Sequence, residues 1–199
     1  AGSLSDMTEL HHAAAAMRAA DYLKQSVLDS ATEVSIIATN PSGLITVFNR
    51  GAEKMLGYRA DMIIGRETPV LLHLKAEVAA RNKEISELFG RPVSEFETFT
   101  LVAQSAQSEQ REWTYIHQSG EHITVNLVVT AQRDITGEIS GYLGIAVDIT
   151  RQKAAEAELL QHRDHLQELV EQRTASLDQP LLQARAANQA KTEFLANMS

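Results

Sequence analysis

The chain has 199 residues, with 18 basic and 26 acidic side chains, 44% apolar residues and no cysteine. That length suits one domain of ordinary size with additional helix, and the apolar share is enough to bury a core. A formal charge of -8 lacks the basic footprint of a nucleic-acid binder, so no nucleic-acid partner is expected. Without cysteine there is no disulfide, thiolate metal site or cysteine nucleophile. No apolar run reaches the roughly 18 residues that mark a membrane-spanning helix.

Ala1-Gly2-Ser3 reads as an expression scar and is set aside. Residues 4–30 are rich in alanine. Leu10, Ala13, Met17, Ala20, Leu23 and Val27 recur at spacings of three and four, which predicts an amphipathic helix. Ser5 or Asp6 is placed to cap its start, with Glu9 near the capping-box position.

The character changes over residues 31–150. Val34 to Thr39 and Leu44 to Asn49 read as two strands around the turn Asn40-Pro41-Ser42-Gly43, hence a hairpin. Short helical pieces follow at Arg50 to Leu56 and Arg59 to Ile64, punctuated by Gly57 and Gly65. Leu71 to Phe89 reads as a longer helix, ended by Gly90-Arg91-Pro92, and Ser94 to Gln104 as another. Three strands close the region, at Arg111 to His117, His122 to Gln132 and Ile139 to Ile149. In the middle one, Ile123, Val125, Leu127, Val129 and Ala131 alternate with Thr124, Asn126, Val128 and Thr130. Val128 breaks the polar side, which predicts that both sheet faces are partly covered.

Residues 151–199 are charged, alternate in sign and contain no glycine, so a long helix is predicted. Leu159, Leu166, Val170 and Leu177 fall on a seven-residue pattern. Leu159, Leu166 and Leu169 fit a second, shifted register with Ala155. Arg163 and Arg173 occupy seam positions, so a coiled coil of modest stability with two competing registers is expected over 151–179. Pro180 removes a helical hydrogen bond, and a kink or restart is expected there.

Two strands, a helical block, three antiparallel strands and an exit helix make an α+β architecture, with no βαβ repeat. The order resembles a PAS domain, and residues match in several places. Phe48-Asn49-Arg50-Gly51-Ala52-Glu53-Lys54-Met55-Leu56-Gly57-Tyr58 is similar to the PAS segment between hairpin and helical block. Arg111 to Ile116 followed by Ser119-Gly120 resembles the start of its three-strand meander. Arg133-Asp134 through Gly137, Gly141-Tyr142-Leu143-Gly144 and Asp148-Ile149-Thr150-Arg151 resemble its end. The resemblance spans residues 31–150. It implies a five-stranded antiparallel sheet with helices on one face and a pocket between them, and the N-terminal helix is a candidate cover for the other face. Ala187 to Ser199 resembles the first dimerisation helix of a sensor histidine kinase. In that family the phosphoacceptor histidine comes next, so residues 180–199 are read as the start of that helix, cut just before it.

The resemblance implies a pocket, for which Val47, Met55, Leu72, His73, Trp113, Tyr115, Val125, Leu127, Val129 and Ala146 are candidates. Asp148 and Thr150 are candidate relay residues, since either side chain can satisfy amides at a helix start. The cofactor is left open. Flavin-binding LOV-type members use a Cys and several amides, and here Glu67, Thr68, Val125 and Ala146 fall at those positions, so LOV-type flavin is not expected. One type of haem-binding member carries its iron-ligating His in the long helix, where this chain reads Val78-Ala79-Ala80-Arg81, so haem is not expected either. The inward strand positions are apolar or small, which suits a small apolar ligand or none.

Each residue also has a plainer reading. His73 on Leu71-Leu72-His73-Leu74 reads as a core or boundary histidine. His117 and His122 read as neighbours across a hairpin turn, without a third ligand for a metal. His162 and His165 read as a solvated helix face. Trp113 and Tyr115 share one side of a strand and read as packing. Asn49 and Arg50 read as a helix cap. No Ser/His/Asp set, P-loop or positioned acid–base pair appears, so no catalytic residue is assigned.

The favoured reading is a sensory and dimerisation module of a two-component system, relaying a signal to a histidine kinase core in the same parent chain. The fragment itself is expected to be inactive as an enzyme. The alternative is a ligand-free structural PAS module that passes on motion from upstream. Expected partners are a second copy in a homodimer, the kinase core, a response regulator acting through the parent, and a possible small-molecule ligand. A cytoplasmic position is expected, whether or not the parent is membrane-anchored.

Overall fold

The computed structural model describes residues 17–19, 22–23, 26–106 and 108–197. Residues 1–3, the candidate caps Ser5 and Asp6, and Leu10, Ala13 and Ala20 of the N-terminal amphipathic pattern lie outside the described residues. Residues 17–19, 22–23 and 26–30 are helical, as the spacing predicts. The chain divides into two compact units, Ala1–Thr150 and Arg151–Ser199.

Strands β1 (Val34–Thr39) and β2 (Ile45–Phe48) form the first hairpin. Asn40 shapes its turn: its Oδ1 accepts from the Leu44 amide at 2.9 Å and from the Ser42 hydroxyl at 2.8 Å. Helices α1 (Arg50–Leu56) and α2 (Ala60–Ile63) follow, then a 3-10 turn (Pro69–Leu72), α3 (Lys75–Phe89) and α4 (Glu97–Ala106). Strands β3 (Ser108–Ile116), β4 (His122–Arg133) and β5 (Ile139–Asp148) lead into helix α5 (Thr150–Asn197). The sheet is fully antiparallel in the order β2-β1-β5-β4-β3. The chain therefore brings its first and last strands together at the sheet centre. Ile37, Phe48, Leu56, Phe99, Trp113, Val125, Leu127 and Tyr142 belong to one buried apolar cluster.

Two helices begin later than the sequence pattern suggests. Apolar Leu71 to Leu74 do not join α3. Pro69 opens a tight 3-10 turn, and His73 is extended (φ -108°, ψ 153°) and bridges to Tyr115 on the free edge of β3. Leu74 N–H donates to the Thr114 carbonyl at 3.0 Å. Backbone pairing with an open strand edge outweighs helical propensity here. Ser94 is the cap of α4 rather than part of it. Its amide donates to Glu97 Oε2 at 2.7 Å, and the Glu97 amide donates to Ser94 Oγ at 3.2 Å, a reciprocal capping box. Arg91 and this cap together push the Glu97 carboxyl down to about 2. Pro180 does not end the C-terminal helix: residues 150–197 are helical throughout. One missing amide donor is outweighed by the regular helix on either side.

Asn49 organises the start of the domain. Its side chain is 1% exposed. Oδ1 accepts from the amides of Ile36 and Ala52, each at 2.9 Å. The two hydrogens of Nδ2 are shared among three carbonyls, those of Leu28 at 3.1 Å, Ala31 at 3.0 Å and Val34 at 3.1 Å. One side chain thus ties the N-terminal helical segment, β1 and α1 to each other. Gly51 makes room for this: a Cβ there would lie 2.1 Å from the Val34 carbonyl oxygen and 2.6 Å from that of Ala31. Asn49→Ala is expected to cost roughly 2 to 4 kcal/mol, from a lost cap and several partly buried groups left unpaired. The exposed change Ser42→Ala is expected to stay within about 0.5 kcal/mol. Urea unfolding of the two variants measures the difference.

Candidate functional site

A cavity of about 30 Å³ lies between the helices and the inner face of the sheet. The alternation of β1 turns Ile37 and Thr39 towards it. Leu127 and Val129 of β4 and Tyr142 and Gly144 of β5 complete the sheet wall. The opposite wall is Phe99 and Thr100 of α4 with Phe96 just before it, Pro69 of the 3-10 turn and the extended His73 that follows that turn. Aromatic rings fill most of the space around it. His73 packs on Phe99 with ring centroids 4.3 Å apart, and meets Trp113 at 5.2 Å and Tyr115 at 4.8 Å edge-on. Phe99 packs on Trp113 at 5.0 Å, and Phe96 on Tyr142 at 5.5 Å.

His73 is buried, and its Nδ1 lies 2.7 Å from the Pro69 carbonyl oxygen. A carbonyl only accepts, so Nδ1 carries the hydrogen and Nε2 presents a lone pair. Nε2 has no partner, and neither does the buried Thr39 Oγ1. Burial pulls the His73 imidazole down to about 4, which keeps it neutral at neutral pH, and raises the Tyr115 phenol. The Tyr142 hydroxyl is held by Gln104 Nε2 at 2.6 Å.

The exit from the sheet is equally specific. Asp148 Oδ1 accepts from the Thr150 amide at 2.8 Å. Thr150 Oγ1 accepts from the Thr124 amide at 3.0 Å, and the Ile149 amide donates to the Thr124 carbonyl at 2.9 Å. Both proposed relay residues therefore sit where β5 becomes α5, bound to each other or to β4.

The model of a family described as the PAS fold matches residues 22–149. The chain belongs to the PAS family. It is 24% identical over 173 residues to two-component system protein A of Emericella nidulans. The match covers 87% of this chain, which spans about a fifth (20%) of that relative's length. The PAS domain of a protein from Colwellia psychrerythraea superimposes with a TM-score of 0.51 at 21% identity, over 65% of this chain and 98% of that one. An RNA-binding light-oxygen-voltage receptor does so with a TM-score of 0.55 at 16% identity, over 72% of this chain and 37% of that one. These likenesses are to the PAS fold.

Within this PAS domain the ten pocket candidates separate. His73, Tyr115, Leu127 and Val129 line the cavity. Leu72, Trp113, Val125 and Ala146 are buried in the surrounding core, Met55 packs against that core, and Val47 is half-buried. The linear pattern does not mark Ile37, Thr39, Phe96, Phe99, Tyr142 or Gly144 as pocket residues. Phe96 and Phe99 are three apart at the start of α4, and Ile37 and Thr39 alternate on β1; those spacings are the signals the sequence carries for them. His117 does not face His122: its amide pairs with the Glu121 carbonyl, and its Nδ1 lies 2.7 Å from Ser119 Oγ. Strand register instead sets His122 against Ile116. No group of three or more potential metal ligands occurs among the described residues. A flavin or haem does not fit the cavity as it stands, since ligand sites of that kind need some 300 Å³ or more, and the residues lining it include no amide side chain.

A histidine held neutral by burial makes stability depend on pH. The unfolded imidazole takes up a proton near 6.5, the folded one near 4, so the unfolded state binds more protons between these values. This contribution is complete above pH 6.5 and is lost as pH falls to about 4, on the order of 3 kcal/mol in all. His73→Phe is expected to flatten that part of the stability–pH curve, read by urea unfolding between pH 4 and 7.

Proposed function

We propose that this PAS domain is the sensory and dimerisation module of a two-component sensor histidine kinase. It passes a signal through the β5–α5 junction to a kinase core in the same parent chain, and a response regulator is the downstream partner. On this reading residues 4–30 are the input helix, 31–150 the sensor, 151–179 a coiled-coil signalling helix and 180–199 the start of the dimerisation helix. The relative from Emericella nidulans supports the two-component context. The sensor itself carries no catalytic step. Because a kinase core needs ATP, the proposed position is on the cytoplasmic side. Among the described residues no helix is long and apolar enough to cross a membrane.

The observation that carries this reading is the surface of α5. Leu159 is 71% exposed and Val170 64%, and Leu166 and Leu169 are exposed as well. The side chain of Leu177 lies outside the described residues. Burying each such side chain in a helix pair is worth roughly 1.5 to 3 kcal/mol, so a second copy is the natural cover. Arg163 weakens the first register, while Arg173, seven residues after Leu166, falls on the seam of both, so the shifted register stays competitive. Two competing registers provide the two-state element that a relay requires.

The small cavity favours a second reading, a ligand-free relay. In it the input arrives through the N-terminal helical segment, whose Leu28 carbonyl is held by Asn49.

Leu166→Glu is expected to raise the dimer dissociation constant at least tenfold, the equivalent of about 1.4 kcal/mol, in sedimentation equilibrium. Because the chain has no cysteine, Leu169→Cys and Val170→Cys each report one register, since Leu166 lies on the seam of both. Both are expected to cross-link across the pair. Cross-linking at one position alone would remove the two-register relay.

A further inference from the structure

The cavity is apolar on most of its wall, and two of the residues that line it carry a buried polar atom with nothing to bond. His73 is 3% exposed and Thr39 5%, and both line the space. Unpaired polar atoms this deep are uncommon in folded proteins and call for a partner. The Pro69 carbonyl has already claimed the one hydrogen of the neutral imidazole, so Nε2 can only accept. The rings of Phe99, Trp113 and Tyr115 pack around His73, and no protein donor reaches Nε2. Thr39 can donate its hydroxyl hydrogen. No lysine, arginine, aspartate or glutamate lines the cavity, so nothing there offsets the cost of bringing in an ion. At about 30 Å³ it has room for a guest of roughly one to three heavy atoms.

We infer that this cavity binds a small neutral hydroxyl compound, whose O–H donates to His73 Nε2 and whose oxygen accepts from Thr39 Oγ1. Water is the smallest member of this class and a two-carbon alcohol about the largest. The assignment rests on the sensor reading for its consequence, since it names what that sensor takes up; the binding itself is a separate event. The guest's hydrogen bonds satisfy both orphaned atoms, and its carbon atoms meet Ile37, Leu127 and Val129.

The test is nitrogen-15 NMR of the histidine rings in the whole chain, titrated with ethanol and separately with acetonitrile, a probe of similar size that lacks an O–H. Ethanol is expected to move the His73 Nε2 resonance saturably away from its free-acceptor position, and acetonitrile is not. The near-isosteric Thr39→Val is expected to weaken the ethanol response about fivefold, the worth of one hydrogen bond. A resonance already displaced in buffer and returned towards the free-acceptor position by Thr39→Val would equally support the assignment, with water as occupant. A free-acceptor resonance that ethanol does not move overturns it. So does an ethanol response that acetonitrile reproduces or that Thr39→Val leaves intact. The Leu169→Cys and Val170→Cys cross-link ratio, measured with and without ethanol, keeps the two ideas apart. Binding without a change in that ratio supports the cavity assignment and removes the sensor reading.

Discussion

Five hydrogen bonds converge on the side chain of Asn49, and the arrangement of the domain follows from them. The carbonyls of Leu28 and Ala31 precede β1, the Val34 carbonyl and Ile36 amide belong to it, and the Ala52 amide opens α1. These groups are partly or fully buried, and each finds its partner inside the protein. A single amide side chain, with both donors and acceptors, supplies them. Aspartate lacks the donors and serine lacks the reach. The close approach of Gly51 to the Val34 carbonyl is the packing consequence.

From that point the strand order directs any mechanical signal. β1 lies between β2 and β5, and β5 lies between β1 and β4. What happens at the Asn49 cluster reaches β5 through one row of backbone hydrogen bonds, from Val34↔Val147 to Thr39↔Tyr142. At its far end β5 passes into α5 through Asp148 and Thr150, with Thr124 of β4 holding the corner. Rigid antiparallel pairing gives short, direct coupling between the entry and exit of the domain. The cavity touches the same strands, since Ile37, Thr39, Tyr142 and Gly144 all line it. In the proposed relay, pocket and upstream inputs would therefore share one output path.

The cavity shows how a polar residue is used in an aromatic core. His73 enters the core because Pro69 starts a turn that leaves the next residues extended, and the edge of β3 receives them. Its ring satisfies one nitrogen locally and leaves the other without a partner, in a residue that lines a small space. That incomplete satisfaction is a feature of the site's chemistry, because it selects for a donor and against an ion.

Much of this was legible in the linear sequence, because the signals are local. The Asn40-Pro41-Ser42-Gly43 turn, the β4 alternation and the Asn49 cap depend on residues within a few positions of each other. Two errors came where a distant partner overrode the local pattern. The apolar run at Leu71 to Leu74 looks helical until the edge of β3 is present to pair with it. His117 and His122 look like facing neighbours until the register sets Ile116 opposite His122. The cavity was only half visible: inward positions on β4 follow from alternation, but Phe96, Phe99 and Tyr142 meet only because helix and sheet pack together. The sequence by itself thus determined the elements, the turns, the caps and the PAS order, all set by short-range sterics and hydrogen bonding. Only the tertiary structure decided which side chains close the cavity, how small it is and which atoms inside it lack partners, because those depend on distances between residues far apart in the chain.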